Sequence, residues 1–167
     1  MLDASDHVAG PFEAPYELVM YGDFQCPYCT AAYPILGRVR NRLADRLLFA
    51  FRHFPLRDVH PDAQRAAEAA EAAAAQGAFW RMHDRIYESH GALGREDLIG
   101  HARELGLDTA RVEAELDSSL HAQRVQRDVE SGLASGVTGT PAFFVGGRLH
   151  AGSFDAASLI SALELSA

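Results

Sequence analysis

The sequence predicts an α/β fold in which a β-α-β unit and a later β-β-α unit flank a long helical insert. Three observations carry this reading. Two short apolar runs, Leu18-Val19-Met20-Tyr21 and Leu47-Leu48-Phe49-Ala50-Phe51, lie either side of a stretch with helical periodicity, the arrangement of a right-handed parallel unit. From Pro61 to about Gly136 the pattern is almost wholly helical. Ala142-Phe143-Phe144-Val145 then reads as a strand, Gly146-Gly147 as a two-residue hairpin turn, and Arg148 to Ala151 as its antiparallel partner. At 167 residues the chain fits one domain, 1–167, large enough to bury its own core.

Taken in order, residues 1–15, with Gly10-Pro11 and Ala14-Pro15, form an extended lead-in from which little structure is expected. Leu18 to Phe24 is the first strand. After the turn at Cys26-Pro27, Thr30 to Leu43 continues as a helix with Ile35, Val39 and Leu43 on one face. The insert, about 61–136, is broken at Gly77, at Gly91 to Gly94 and at Gly106. Its first helix carries the low-complexity run Ala66 to Ala75, whose small side chains favour helix and allow close packing. Phe79, Met82, Ile86 and Tyr87 make the next apolar stripe, with Trp80 beside it. Leu98, Ala102 and Leu105 form a short helix, and Asp108 caps the one after. Val125, Val129 and Leu133 line the last. Asp155 caps a final helix that directs Leu159, Ile160 and Leu163 to the core.

Composition excludes several function classes. With 48% hydrophobic and 23% charged residues the chain is neither disordered nor membranous, and a soluble protein is expected. A formal charge of -8 argues against nucleic acid or an anionic membrane surface as partner. All fifteen basic residues are arginine, so no lysine ammonium can tune a neighbouring thiol. The first twenty residues carry no basic segment followed by an apolar run and a small-residue cleavage site, which sets the expected location as the cytoplasm.

Both cysteines lie in Tyr21-Gly22-Asp23-Phe24-Gln25-Cys26-Pro27-Tyr28-Cys29-Thr30. Three positions apart on a helical turn, Cys26 and Cys29 share a face and can close a small disulfide ring in place. Cys26 falls at a strand-to-helix corner, and Pro27 suits the first helical position. The free amides there favour a thiolate, so Cys26 is expected to ionise well below the ordinary thiol value of roughly 8.5. Cys29, one turn inside, is shielded and acts second. A structural bridge, half a zinc site and two inert core residues are the alternatives. A two-residue loop gains little from a bridge, and none of the eight histidines completes a second close pair at metal spacing. Redox chemistry, with no metal and no cofactor, is the better account. Val137-Thr138-Gly139-Thr140-Pro141-Ala142 places a proline at a strand head, a position that invites a cis bond.

Gly10-Pro11, Ala14-Pro15, Leu18-Val19, Gly22 to Cys29, Phe51 to Leu56, Phe79 to Asp84 and Thr138 to Pro141 together resemble the DsbA-like family of thioredoxin-fold oxidoreductases, over nearly the whole chain. The resemblance implies a thioredoxin-like fold and a redox-active CXXC centre. It makes Cys26 the nucleophile and Cys29 the resolving thiol, with a cis-proline loop at Thr140-Pro141 whose backbone faces the Cys26 sulfur. An extended substrate segment would pair there as an added strand. Pro27, Tyr28, Thr140 and Pro141 are thus the candidate substrate-binding residues. Two departures stand out. Well-studied members have histidine between the cysteines where this chain has Pro27-Tyr28, the glutaredoxin dipeptide. Many relatives carry an acid on the first strand where this chain has Met20, with Asp23 and Glu17 the nearest acids in sequence.

The expected function is disulfide exchange with protein thiols and disulfides, supported by a redox partner of unknown identity. One alternative is a glutaredoxin-like reductase using a low-molecular-weight thiol. The other is a non-enzymatic redox sensor or partner-binding module. His53, after the second strand, reads as a local hydrogen-bonding residue and not a ligand or base.

Overall fold

The computed structural model describes residues 2, 3 and 5–166; positions 1 and 4 of the lead-in, and residue 167, lie outside the described residues. The strands are β1 (His7–Ala9), β2 (Tyr16–Gly22), β3 (Leu47–His53), β4 (Ala142–Val145) and β5 (Arg148–Leu149). They form one mixed sheet in the order β1-β3-β2-β4-β5. Helix α1 (Pro27–Leu43) and a short 3-10 turn (Ala44–Arg46) connect β2 to β3. The parallel pairing of those strands runs from Tyr16 opposite Leu47 to Gly22 opposite His53, which is the expected β-α-β unit. β4 runs antiparallel to β2, with Ala142 opposite Tyr21. Gly146 and Gly147 take positive φ, 53° and 76°, which a two-residue hairpin of this twist requires. Helix α7 (Ala156–Ser166) closes the β-β-α unit, with Asp155 Oδ1 accepting from the Ser158 amide at 3.0 Å.

The insert is five helices: α2 (Ala63–Ala74), α3 (Phe79–Glu88), α4 (Arg95–Glu104), α5 (Thr109–Asp117) and α6 (Ala122–Ala134). Strand alternation divides the core between the two faces of the sheet. Leu18, Met20, Phe49 and Phe51 point to the face covered by α1, α7 and the alanines of α2, while Val19, Tyr21 and Ala50 point to the other, with Phe54 and Val137. Ala66, Ala69, Ala70, Ala72 and Ala73 are all buried, so the low-complexity run is a close-packed helix surface. No helix among the described residues is long and apolar enough to cross a membrane.

Three expectations are corrected. The lead-in contains an edge strand: β1 pairs antiparallel with β3, His7 opposite Phe51. Three residues are too few to show periodicity, and the strand is held by contacts distant in sequence. Trp80 Nε1 donates to the Val8 carbonyl at 2.9 Å, and Arg52 donates to both oxygens of Asp6 at 2.6 and 2.8 Å. The first strand ends at Gly22 instead of Phe24, because the Asp23 side chain turns the chain into the helix, which begins at Pro27 as expected. On α6 the inward face is Val125, Asp128 and Gly132, and Leu133 is 60% exposed. Asp128 turns inward to accept from the His53 amide at 2.9 Å, and Gly132 leaves room for the Phe54 and Tyr21 rings.

Candidate active site

Cys26 occupies the position just before α1, in extended backbone with φ -69° and ψ 123°, and Pro27 opens the helix. Cys29 lies in the first turn. Both are free thiols, Cys29 fully buried and Cys26 3% exposed, while Pro27 and Tyr28 stand out in solvent above them. The Cys26 thiol donates to the Thr140 carbonyl at 3.4 Å, and the Thr140-Pro141 bond is cis. The structure thus brings Cys26, Cys29 and Thr140 together, with Pro141 half-buried beside them.

The two thiols are driven apart electrostatically. A hydrogen bond from Cys29 does most to hold the Cys26 pKa down, to about 5, aided by the Thr140 side chain and the amides of Cys29 and Tyr28 against the opposing effect of burial. Burial pushes the Cys29 thiol far up, and its proximity to Cys26 pushes it further. The asymmetry expected at the helix start is present, although the largest single contribution comes from the second thiol and not from the helix amides. The geometry forms a redox-active Cys-Pro-Tyr-Cys pair in its reduced state.

Sequence reasoning left Asp23 unassigned, yet its carboxylate organises the site. Oδ1 accepts from the Gln25 amide at 2.7 Å and the Cys26 amide at 3.1 Å. Oδ2 accepts from the Leu56 amide at 2.8 Å and pairs with His60 Nδ1 at 2.7 Å. Its own amide donates to Cys29 Sγ at 3.5 Å. Gln25 and Asp62 make a second clamp, the Asp62 amide donating to Gln25 Oε1 at 2.8 Å. Entry into the insert is thereby fastened to the motif. An Asp three residues before Cys26 is an Asx-turn signal that could have been used; the His60 contact, 37 residues away, left no local trace. Met20 is buried and apolar, and Glu17 lies toward the far end of β2 from the motif.

One donor set suited to a metal occurs among the described residues: His7, His53 and Glu71, with ligand atoms within 4.8 Å of one another. Here they form a hydrogen-bonded network, both imidazole Nε2 atoms meeting Glu71 Oε1 at 2.6 and 2.7 Å. Arg124 lies 4.0 Å from Glu71 Oε2, placing positive charge where a cation would add more. His53 is buried in this network, in keeping with the local role read for it.

Similar proteins place this site in a family. A family model described as "Thioredoxin" matches residues 3–164. The Na(+)/H(+) antiporter NhaA 1 of Salinispora arenicola is 49% identical over 160 residues, which are 95% of this chain but 24% of that protein. The chain therefore spans about a quarter of the length of the curated relatives it matches. Among solved structures, a thioredoxin-like oxidoreductase from Silicibacter pomeroyi superposes with TM-score 0.87 at 24% identity, covering 98% of this chain and 93% of that one. Bacillus subtilis BdbD gives 0.84 at 19%, covering 97% and 92%. Pseudomonas aeruginosa DsbA2 gives 0.76 at 26%, covering 100% and 97%. The expectation of a cytoplasmic location is corrected: the structurally similar DsbA, ScsC and BdbD proteins are periplasmic or secreted, not cytoplasmic. That expectation rested on the first twenty residues, and where this sequence starts says nothing about what precedes it in the protein. From the family match along nearly its whole length, and the oxidoreductase fold built around Cys26 and Cys29, the chain belongs to the thioredoxin family, on its DsbA-like side.

Proposed function

We propose that the chain is a thiol-disulfide oxidoreductase that exchanges disulfides with protein substrates through Cys26 and Cys29. The observation that carries the proposal is the Cys26 sulfur, with its pKa lowered to about 5, set against the Thr140 carbonyl at the sheet's β4 end. A stabilised thiolate favours the reduced pair, so the oxidised pair is inclined to pass its disulfide on. A substrate thiolate attacks Cys26 Sγ, the Cys26-Cys29 bond breaks, and its electron pair goes to Cys29. A second substrate thiol then attacks the substrate sulfur of the mixed disulfide and releases Cys26 as thiolate. Two electrons pass from the substrate dithiol to the cysteine pair.

Thr140 and Pro141 are the residues against which an extended substrate segment lies, through main-chain groups that read no particular sequence. Exposed Pro27 and Tyr28 flank it from the helix side. Oxidative refolding of a reduced, unfolded protein tests the reading. Catalysed regain of native disulfides, lost in Cys26→Ser, is expected. Turnover confined to small thiols would favour the glutaredoxin-like alternative, and oxidation without turnover the sensor.

A further inference from the structure

The turn that leads into the insert sets a basic side chain against the acid beside the redox motif. The Leu56 carbonyl accepts from the amides of Val59 and His60 at 3.0 and 2.8 Å, which closes residues 56–60 into one compact turn. The Leu56 amide and the His60 ring thereby arrive together at Oδ2 of Asp23, at 2.8 and 2.7 Å. Oδ1 of the same carboxylate holds the Cys26 amide at 3.1 Å, and the Asp23 amide donates to Cys29 Sγ at 3.5 Å. Asp23 thus touches both cysteines, and His60 touches Asp23. A cysteine sulfur lies no more than about 4 Å from its own nitrogen, so the carboxylate is within about 7 Å of the Cys26 sulfur. The Asp23 side chain has no exposure to solvent, and that of His60 has 18%. Water therefore does little to screen the carboxylate, whose negative charge opposes a second one on Cys26. The donors around it make the two compatible: three backbone amides and one imidazole. An ionised carboxylate has no proton to give, so His60 Nδ1 carries the hydrogen of that contact. A donor there makes the potential at the motif less negative whether the ring is neutral or charged. The other ionisable groups facing Asp23 are the thiols of α1 and Tyr87 of α3, whose ionisation Asp23 opposes, and none is basic. Near His60 in the chain, Arg57 donates to Gln64 and Gln126, Asp58 is exposed, and Asp62 is held by Gln25.

We infer that His60 is a positioning residue for the redox pair: its Nδ1–H holds and compensates the Asp23 carboxylate, so that a thiolate can form on Cys26 beside a buried acid. The role rests on the oxidoreductase reading above. In that exchange two substrate thiols become one disulfide, Cys29 takes up one proton, Cys26 is released as the thiolate and the other proton goes to solvent. His60 touches neither substrate nor sulfur. It acts through Asp23 on the charge that the released Cys26 carries. Without the imidazole the carboxylate keeps its charge with one donor fewer, the Cys26 thiolate is less favoured, and the pair holds its disulfide more tightly.

Alkylation of the full chain by iodoacetamide as a function of pH, with the labelled residue read by mass spectrometry, tests the assignment. In the wild-type chain the rate on Cys26 rises with a midpoint near pH 5. His60→Ala and the space-filling His60→Leu should each raise that midpoint by about one pH unit, a roughly tenfold slower alkylation below it. Both should also shift the equilibrium with glutathione about tenfold toward the disulfide, or ~30 mV. His60→Asn, whose side-chain N–H can stand where Nδ1–H does, should stay within about twofold of wild type in both readouts. An unmoved midpoint in His60→Ala and His60→Leu would overturn the assignment, even with a lowered thermal midpoint, because the role would then be structural. A shift in His60→Asn as large as that in His60→Ala would overturn it too, since the donor would not be what matters. A wild-type chain with the low midpoint, and variants with these shifts, but no catalysis of oxidative refolding, would overturn the exchange reading alone.

Discussion

At the scale of single residues, two chemically identical side chains three positions apart are given opposite characters by placement. Cys26 is set at the head of α1 with donors converging on its sulfur; Cys29 is sealed beneath it. The rate of alkylation of Cys26 by a small reagent should therefore rise with a midpoint near pH 5, while Cys29 stays unreactive in the folded chain. Because the folded pKa, about 5, lies well below the ordinary thiol value of roughly 8.5, the thiolate stabilises the reduced form. That contribution is fully present above pH 9 and is lost as pH falls through about 5. Asp23 holds the frame in which this happens. Asp23→Ala leaves the amides of Gln25, Cys26 and Leu56 without their acceptor and should lower stability by about 2 kcal/mol or more, read as a shift in denaturant midpoint. The motif's chemistry was legible because its signals are local: a strand, a turn, a proline and two thiols within ten residues. Asp23 and His60 were not, because each acts through a side-chain contact that no periodicity records.

At the scale of elements, the cores of the strands and the insert's helical character followed from apolar spacing, and most discrepancies lie at boundaries or faces set by polar contacts. β1 is the clearest case. Its three residues are kept in the sheet by Arg52, Trp80 and the Glu71 network, all remote in sequence. Likewise α6 keeps Val125 and Val129 against the core as the apolar stripe predicts, but turns Asp128 inward beside them and leaves Leu133 in solvent. Glu71 joins β1, β3 and α2 through His7 and His53, and the hydrogen bonds from those histidines overcome burial to hold its carboxyl far below the ordinary 4.5. A depressed carboxyl pKa gives stability that is fully present above pH 4.5 and is lost as pH falls below it. Glu71→Gln should cost roughly 3 kcal/mol at neutral pH, since it strands buried partners. The variant should also flatten the acid limb of a stability-pH curve, measured by urea unfolding between pH 3 and about 7.

At the scale of the whole molecule, the insert does more than enlarge the domain. Its entrance, at His60 and Asp62, is bolted to Asp23 and Gln25. One face of the motif is thus fixed by the sheet and the other by the insert, while the sulfur of Cys26 remains at the surface edge beside Thr140. Such an arrangement suits a partner that arrives as an extended chain and departs oxidised. The central claim, that Cys26 attacks or is attacked by protein sulfurs and Cys29 resolves the product, is tested most directly with Cys29→Ser. Incubated with a disulfide-containing or reduced, partly oxidised protein and separated without reductant, this variant should accumulate a covalent adduct that dithiothreitol releases, and Cys29→Ser combined with Cys26→Ser should form none. A Cys29→Ser chain whose Cys26 still alkylates rapidly but which captures no protein would contradict the account.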